Sequence, residues 1–130
     1  MHHLPHDATD AELIYFIDQW VRLMEAEDYV AAHAYTTQSQ HMGWTPATMR
    51  QVVKSYDECR STQRVTLEGR ETDIRQRKEV YRYAENRYGC IGYVSYDLNV
   101  DHVVTDLTAT FDIHTDEHGL TIMLDDIHVM

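Results

Sequence analysis

The sequence predicts an α+β domain, with three N-terminal helices packed on one face of a strongly curved antiparallel sheet. Three observations carry that prediction. Between Thr9 and Tyr56 apolar residues recur at three- and four-residue spacing, the period of an amphipathic helix. From Glu79 onward the period drops to two, the alternation of strands with one buried face. Near the end, Leu120, Ile122 and Leu124 hold one phase while Ile127 and Val129 hold the other, so the pattern slips at Asp125-Asp126. A slip of that kind marks a β-bulge, and a bulge bends the strand that carries it.

Residues 1–8 read as a flexible tail. Thr9-Asp10-Ala11-Glu12 then has the form of a capping box, Thr9 accepting from a free amide and Glu12 reaching back. The helix it opens carries Leu13, Phe16, Ile17, Trp20, Val21 and Met24 on one stripe. Glu25-Ala26-Glu27-Asp28 interrupts the stripe, and Asp28 suits the cap of a second short helix from Tyr29 to about Thr37. A polar loop leads to Gly43-Trp44. Thr45-Pro46 opens the third helix, the proline sitting where its missing amide would have no partner anyway. Met49, Val52, Val53 and Tyr56 form its stripe.

Strands follow. Arg64 to Glu68 is a short one, whereas for Thr72 to Lys78 a strand and a helical turn both remain open. Glu79–Ala84 and Cys90–Leu98 make a hairpin about Glu85-Asn86-Arg87-Tyr88-Gly89. Asn99 to His102 turns into the last hairpin. There Val103, Thr105, Leu107, Ala109, Phe111 and Ile113 alternate with polar neighbours, which predicts that this set faces inward. His114 to Gly119 makes the final turn, with Gly119 able to take a positive φ.

One domain is the expectation for 130 residues that are 43% hydrophobic. No apolar run approaches the roughly 20 residues a membrane span needs. The start MHHLPHDATD lacks the apolar core of a signal peptide, so the expected location is cytoplasmic, with no membrane partner. Cys59 and Cys90 lack metal-ligand spacing and read as reduced thiols. The formal net charge is −11, which argues against nucleic acid as a partner. It is also unevenly spread: residues 50–87 hold ten of the eleven basic side chains, and residues 88–130 hold none. Solubility accounts for such a pattern, and so does a basic protein partner for the acidic face.

Several constellations bear on function. His114, Asp116 and His118 share one turn, but a hairpin tip offers little of the rigid, supported ligation that zinc requires. No metal and no other cofactor is expected. A His–carboxylate pair would suit proton transfer near neutrality. Among His33, His41, His102, His128, Asp28, Asp125, Asp126 and Tyr35, the candidates for such a pair are His33, Asp126 and His128. Five tyrosines crowd residues 81–96 beside Arg75, Arg77, Lys78 and Arg82. Of these, Tyr81, Tyr83 and Tyr93 are the interface candidates, since tyrosine combines contact area with a hydroxyl.

The helix break at Glu27-Asp28-Tyr29, Tyr35, the Trp44-Thr45-Pro46 junction and the long bent hairpin resemble the nuclear transport factor 2-like superfamily. The resemblance runs over nearly the whole chain. It implies a cystatin-like cone of helices against a curved sheet, and a homodimer through the open sheet face. The stretch Leu124-Asp125-Asp126-Ile127-His128-Val129 is similar to bacterial members without an assigned activity. Members include isomerases, dehydratases and polyketide cyclases, alongside proteins that only bind or assemble. In ketosteroid isomerase-like members a tyrosine stands two turns before the helix break, and here that place holds Trp20. Their general base is an aspartate just before a proline, where this chain has Trp44-Thr45 before Pro46. An indole cannot shuttle a proton as a carboxylate does. The resemblance therefore implies a small acidic binding or assembly module, dimeric and non-catalytic, of an accessory or immunity type. The alternative is a pocket enzyme or binder, with a small apolar ligand in a cavity lined by Trp20, Tyr35, Trp44 and Phe111.

Overall fold

The helices begin at their capping residues. In the computed structural model, which describes residues 2–38, 43–57 and 60–129, α1 spans Asp10–Glu25, α2 Tyr29–Tyr35 and α3 Pro46–Lys54. Thr9 accepts from the Glu12 amide at 3.2 Å while Glu12 accepts from the Thr9 amide at 3.2 Å, so the predicted capping box is closed. Asp28 caps α2 through the Ala31 amide at 3.1 Å, and Thr45 caps α3 with Pro46 in its first turn. All six apolar residues of the α1 stripe are buried. Helix α2 ends at Tyr35, earlier than expected, because Thr37 and Gln38 form strand β1 alongside Met123 and Leu124. That pairing is parallel, so a short edge makes the sheet mixed.

The remaining strands are β2 (Val65–Thr66), β3 (Lys78–Arg87), β4 (Cys90–Val100), β5 (Val103–Asp116) and β6 (Gly119–Val129). Their order is β1-β6-β5-β4, with β3 and β2 sharing the far edge of β4. Tyr88 and Gly89 both take positive φ, 56° and 92°, as do Asp101 and His102 at 50° and 64°. Paired positive φ values are what two-residue hairpin turns demand. Both loops are therefore tighter than the sequence suggests, and the strands run further, to Arg87 and Val100. The connection from Thr72 to Arg77 is irregular rather than helical.

Breaks in register, three of them along β4, β5 and β6 and a fourth between Arg82 and Arg87 of β3, accompany the curl of the sheet into a half-barrel. In β6 the pairing steps from Thr110↔Asp126 to Phe111↔Leu124, which leaves Asp125 as the extra residue the phase slip implied. In β4 Ile91 is extra, between Cys90↔His114 and Gly92↔Ile113. The third break corrects the predicted inward face of β5. The pairing steps from Asp97↔Thr108 to Asn99↔Val104, so three residues of β5 oppose Leu98 alone. Val104 is buried in consequence, while Val103 and Thr105 are only partly covered; Thr105 turns its hydroxyl onto the Leu98 carbonyl at 2.8 Å. From Leu107 to Ile113 the expected set does face the core.

Residues 3–8, read as a tail, lie along the last hairpin. Leu4 and Leu120 exchange both backbone hydrogen bonds at 2.8 Å, and His3 Nε2 lies 3.2 Å from an Asp116 carboxylate oxygen. A Cβ on Gly119 would sit 2.2 Å from the Leu4 carbonyl oxygen, and its φ is +137°, so this approach requires glycine twice over. His41 and Cys59 lie outside the described residues.

Without Asp125, the residues after it would change faces, Ile127 turning outward and Asp126 inward. Deleting Asp125 is expected to lower the unfolding free energy by at least about 2 kcal/mol, the scale of one buried aliphatic side chain. Asp125→Ala, which keeps the extra residue, is expected to change it by about 1 kcal/mol or less. Urea titration of the two variants measures the difference; equal losses would refute the bulge as the cause.

Candidate functional site

The four residues expected to line a pocket do not meet around one. Trp20 and Phe111 pack edge to face with centroids 5.1 Å apart, and neither has exposed surface. Together they occupy the centre of the domain. Tyr35 stacks on Phe16 at 4.4 Å and borders a surface pocket of about 370 Å³ with Leu4, Ala11, Glu12 and Tyr15. Trp44 is partly buried and donates its indole N–H to the Asp125 carbonyl at 2.9 Å, which ties the start of α3 to the bulge.

The catalytic candidates divide in the same way. Asp126 and His128 stand two apart on β6 with their side chains 3.2 Å from each other, each about one-third exposed. Asp126 also accepts from the Ile127 amide at 2.9 Å. His33 does not join them. Its Nε2 is held by the Trp44 carbonyl at 2.9 Å, a contact in which the imidazole nitrogen must be the donor.

The interface candidates do converge. Tyr81 and Tyr93 are register partners whose rings stack at 4.7 Å, and Tyr83 lies 6.2 Å from Tyr93. The Arg87 guanidinium covers Tyr83 at 4.0 Å. By strand parity these rings face away from the helices, as do Ser95, Asp97, Thr110, Asp112, Asp126 and His128. The tyrosines and Arg87 thus stand at the β3 side of this outer face together with Glu79, which accepts from the Tyr81 hydroxyl, and Asp112 and Asp126 stand on β5 and β6; Lys78 and Arg82 turn the other way, to Asp18 and Asp10 of α1. Burial, followed by the neighbouring Asp125, raises the Asp112 carboxyl above its ordinary pKa.

Tyr96 points the other way, into the core. Its hydroxyl donates to Asp18 at 2.5 Å, and Lys78 donates to the same oxygen at 3.0 Å while lying over the Tyr96 ring. Burial, then the bond to Asp18, raises the phenol far above its usual range. It is a fixed donor that struts α1 against the sheet. The parity of β4, with Val94, Tyr96 and Leu98 on one face, is the signal that separates it from the other tyrosines.

One opening was not foreseen. A cleft of about 730 Å³ lies between the end of α3 and the β4–β5 turn, with Tyr56, Asp57, Arg60, Val103, Asp106 and Val129 among its lining. The stripe of α3 includes Tyr56, but the helix ends at Lys54 and the ring leaves it. Tyr56 donates its hydroxyl to Asp106. Burial and that bond raise the phenol pKa.

A family match spans residues 21–130, from the middle of α1 through the last described strand. The chain belongs to that family, a domain of unknown function (DUF7668). No curated protein and no solved structure matches the chain. Among the described residues of this DUF7668 domain, no group of three or more His, Cys, Asp or Glu is disposed to hold a metal ion. No described helix is long and apolar enough to cross a membrane.

The raised Asp112 carboxyl has a stability consequence. Between the ordinary value of 3.8 and the raised folded value, the folded state binds more protons than the unfolded one. Stability contributed by this group therefore falls as pH rises through that window, and the full cost persists at neutrality. Asp112→Asn is expected to stabilise the domain at pH 7 by about 1 kcal/mol or less, and the gain should vanish at pH 3. Thermal unfolding of both proteins at the two pH values checks the sign.

Proposed function

We propose that this DUF7668 domain is a nuclear transport factor 2-like binding or assembly module, non-catalytic, that works as a homodimer through the outer face of its sheet. One arrangement carries the proposal. The outer face has Tyr81, Tyr83, Tyr93 and Arg87 toward one edge and Asp112 and Asp126 toward the other. A two-fold axis through such a face lays the aromatic edge of one copy, with Arg87, on the acidic edge of the other. The stacked tyrosines then supply the large, semi-rigid contacts that dominate binding energy.

The non-catalytic part draws on the placement of the acid/base candidates. His33 is held on the Trp44 carbonyl, away from the Asp126–His128 pair, and Trp20 and Phe111 take the centre where a cone pocket would lie. The acidic surface outside the paired faces suits a basic protein partner, whose association would weaken with salt.

Light scattering coupled to chromatography at micromolar concentration is expected to give twice the chain mass of 15.3 kDa. Tyr93→Arg should weaken dimerisation at least about tenfold, because it places a cation in the centre of the face. Arg87→Glu should weaken it as well, and Arg87→Glu on one copy mixed with Asp112→Arg on the other should restore the pair. A monomeric wild type, or a dimer indifferent to all three substitutions, would overturn this assignment.

A further inference from the structure

We infer that the cleft between the end of α3 and the β4–β5 turn binds an organic cation, a primary amine or guanidinium on a short aliphatic stem. This does not depend on the dimer, since the cleft is built by other segments than the outer tyrosine face.

Size comes first. About 730 Å³ is in the range of small-molecule sites and far more than a surface wrinkle holds. The lining is divided by chemistry. Val100, Val103, Val129 and the ring of Tyr56 give apolar wall, and Asp57, Asp101 and Asp106 give three carboxylates against one guanidinium, Arg60. An anion would meet that excess unfavourably, whereas a cation with an apolar stem matches both halves.

One carboxylate is aimed in advance. Tyr56 donates its hydroxyl to Asp106 Oδ1, and Asp106 Oδ2 takes no hydrogen bond from a described residue. A carboxylate with one oxygen fixed and the other open is suited to an incoming N–H donor. Arg60 is the internal competitor. It donates to the buried Gln63 side-chain oxygen at 3.1 Å, but its approach to the carboxylates is loose, 3.6 Å from Asp57 and 4.0 Å from Asp101, with about half its side chain exposed. Ion pairs so exposed contribute little, so a better-fitted cation can displace it. The floor is firm by contrast. Gln63 is fully buried, donates to the Val53 carbonyl at 2.8 Å, and accepts from Lys54 at its own carbonyl at 2.6 Å.

The cation can come from two sources, a free small molecule or a side chain of a bound protein. Titration of the labelled full chain by amide NMR separates them, with agmatine as the free probe, acetyl-Gly-Arg-Gly-amide as the peptide probe and 1,4-butanediol as the neutral control. Saturable shifts confined to residues 56–57, 60–63, 100–106 and 129 are expected for at least one cationic probe, and none for the diol. Tighter binding of agmatine identifies a small-molecule site, and tighter binding of the peptide identifies a protein side chain. Asp106→Asn should weaken binding about tenfold or more, as loss of a charged hydrogen-bond partner does. Tyr56→Phe, which leaves all the charges in place, should weaken it less, by about threefold; it carries the test alone if Asp106→Asn fails to fold. Shifts equal for the diol, or spread without saturation over Asp112 and Asp126 as well, would overturn the site.

Discussion

Much of this structure depends on the contact of Trp20 with Phe111. It joins the middle of α1 to the middle of β5, and both side chains are wholly withdrawn from water. Large aromatic pairs bring substantial apolar area plus a preferred edge-to-face geometry. With the pair in the centre, the interior is packed where a hollow cone would be open. Chemistry and recognition are thereby moved outward, to the far side of the sheet and to the open end beyond α3.

The curl of the sheet follows from a different source, the register breaks. Each adds residues on one strand without a partner on the next, so the strands bend. Asp125 also links the two halves of the domain. Its carbonyl holds the Trp44 indole and its carboxylate accepts from Thr110 at 3.2 Å, so the bulge fastens the start of α3 to the sheet it bends. The Tyr96–Asp18–Lys78 group does the same for α1 at the opposite edge.

Elements with a local cause were legible in the sequence. The capping box at Thr9, the Thr45-Pro46 start of α3, the α1 stripe and the bulge at Asp125 are all set by residues within a few positions of one another. Features set by pairing between distant segments were not. The inward face of β5 fails at Val103 because Leu98, on another strand, faces three residues at once. The short parallel strand at Thr37 exists only because β6 offers a free edge. Tyr56 reads as one more stripe residue, and its partner Asp106 lies 50 positions away. The tyrosines of the outer face were found because strand parity alone places Tyr81 and Tyr83 together. The proposed pocket was not, because residue type cannot tell a Trp that lines a space from one that fills it.

The strap of residues 3–8 along the last hairpin has a kinetic meaning. Its side-chain contacts join positions 113 and 110 apart in sequence, and Leu4 meets Leu120 over a similar span. Closing a longer loop adds little to the equilibrium cost, about 0.6 kcal/mol for each doubling of length. Contacts of this range do slow the search for the native state. The apolar stripe of α1 must wait for β5 and β6 before it is covered, and the strap can close only on a finished hairpin. Its two backbone hydrogen bonds at Leu4 therefore act as a seal set late in folding, and their protection from hydrogen exchange is a direct gauge of whether the two ends of the fold open together or apart.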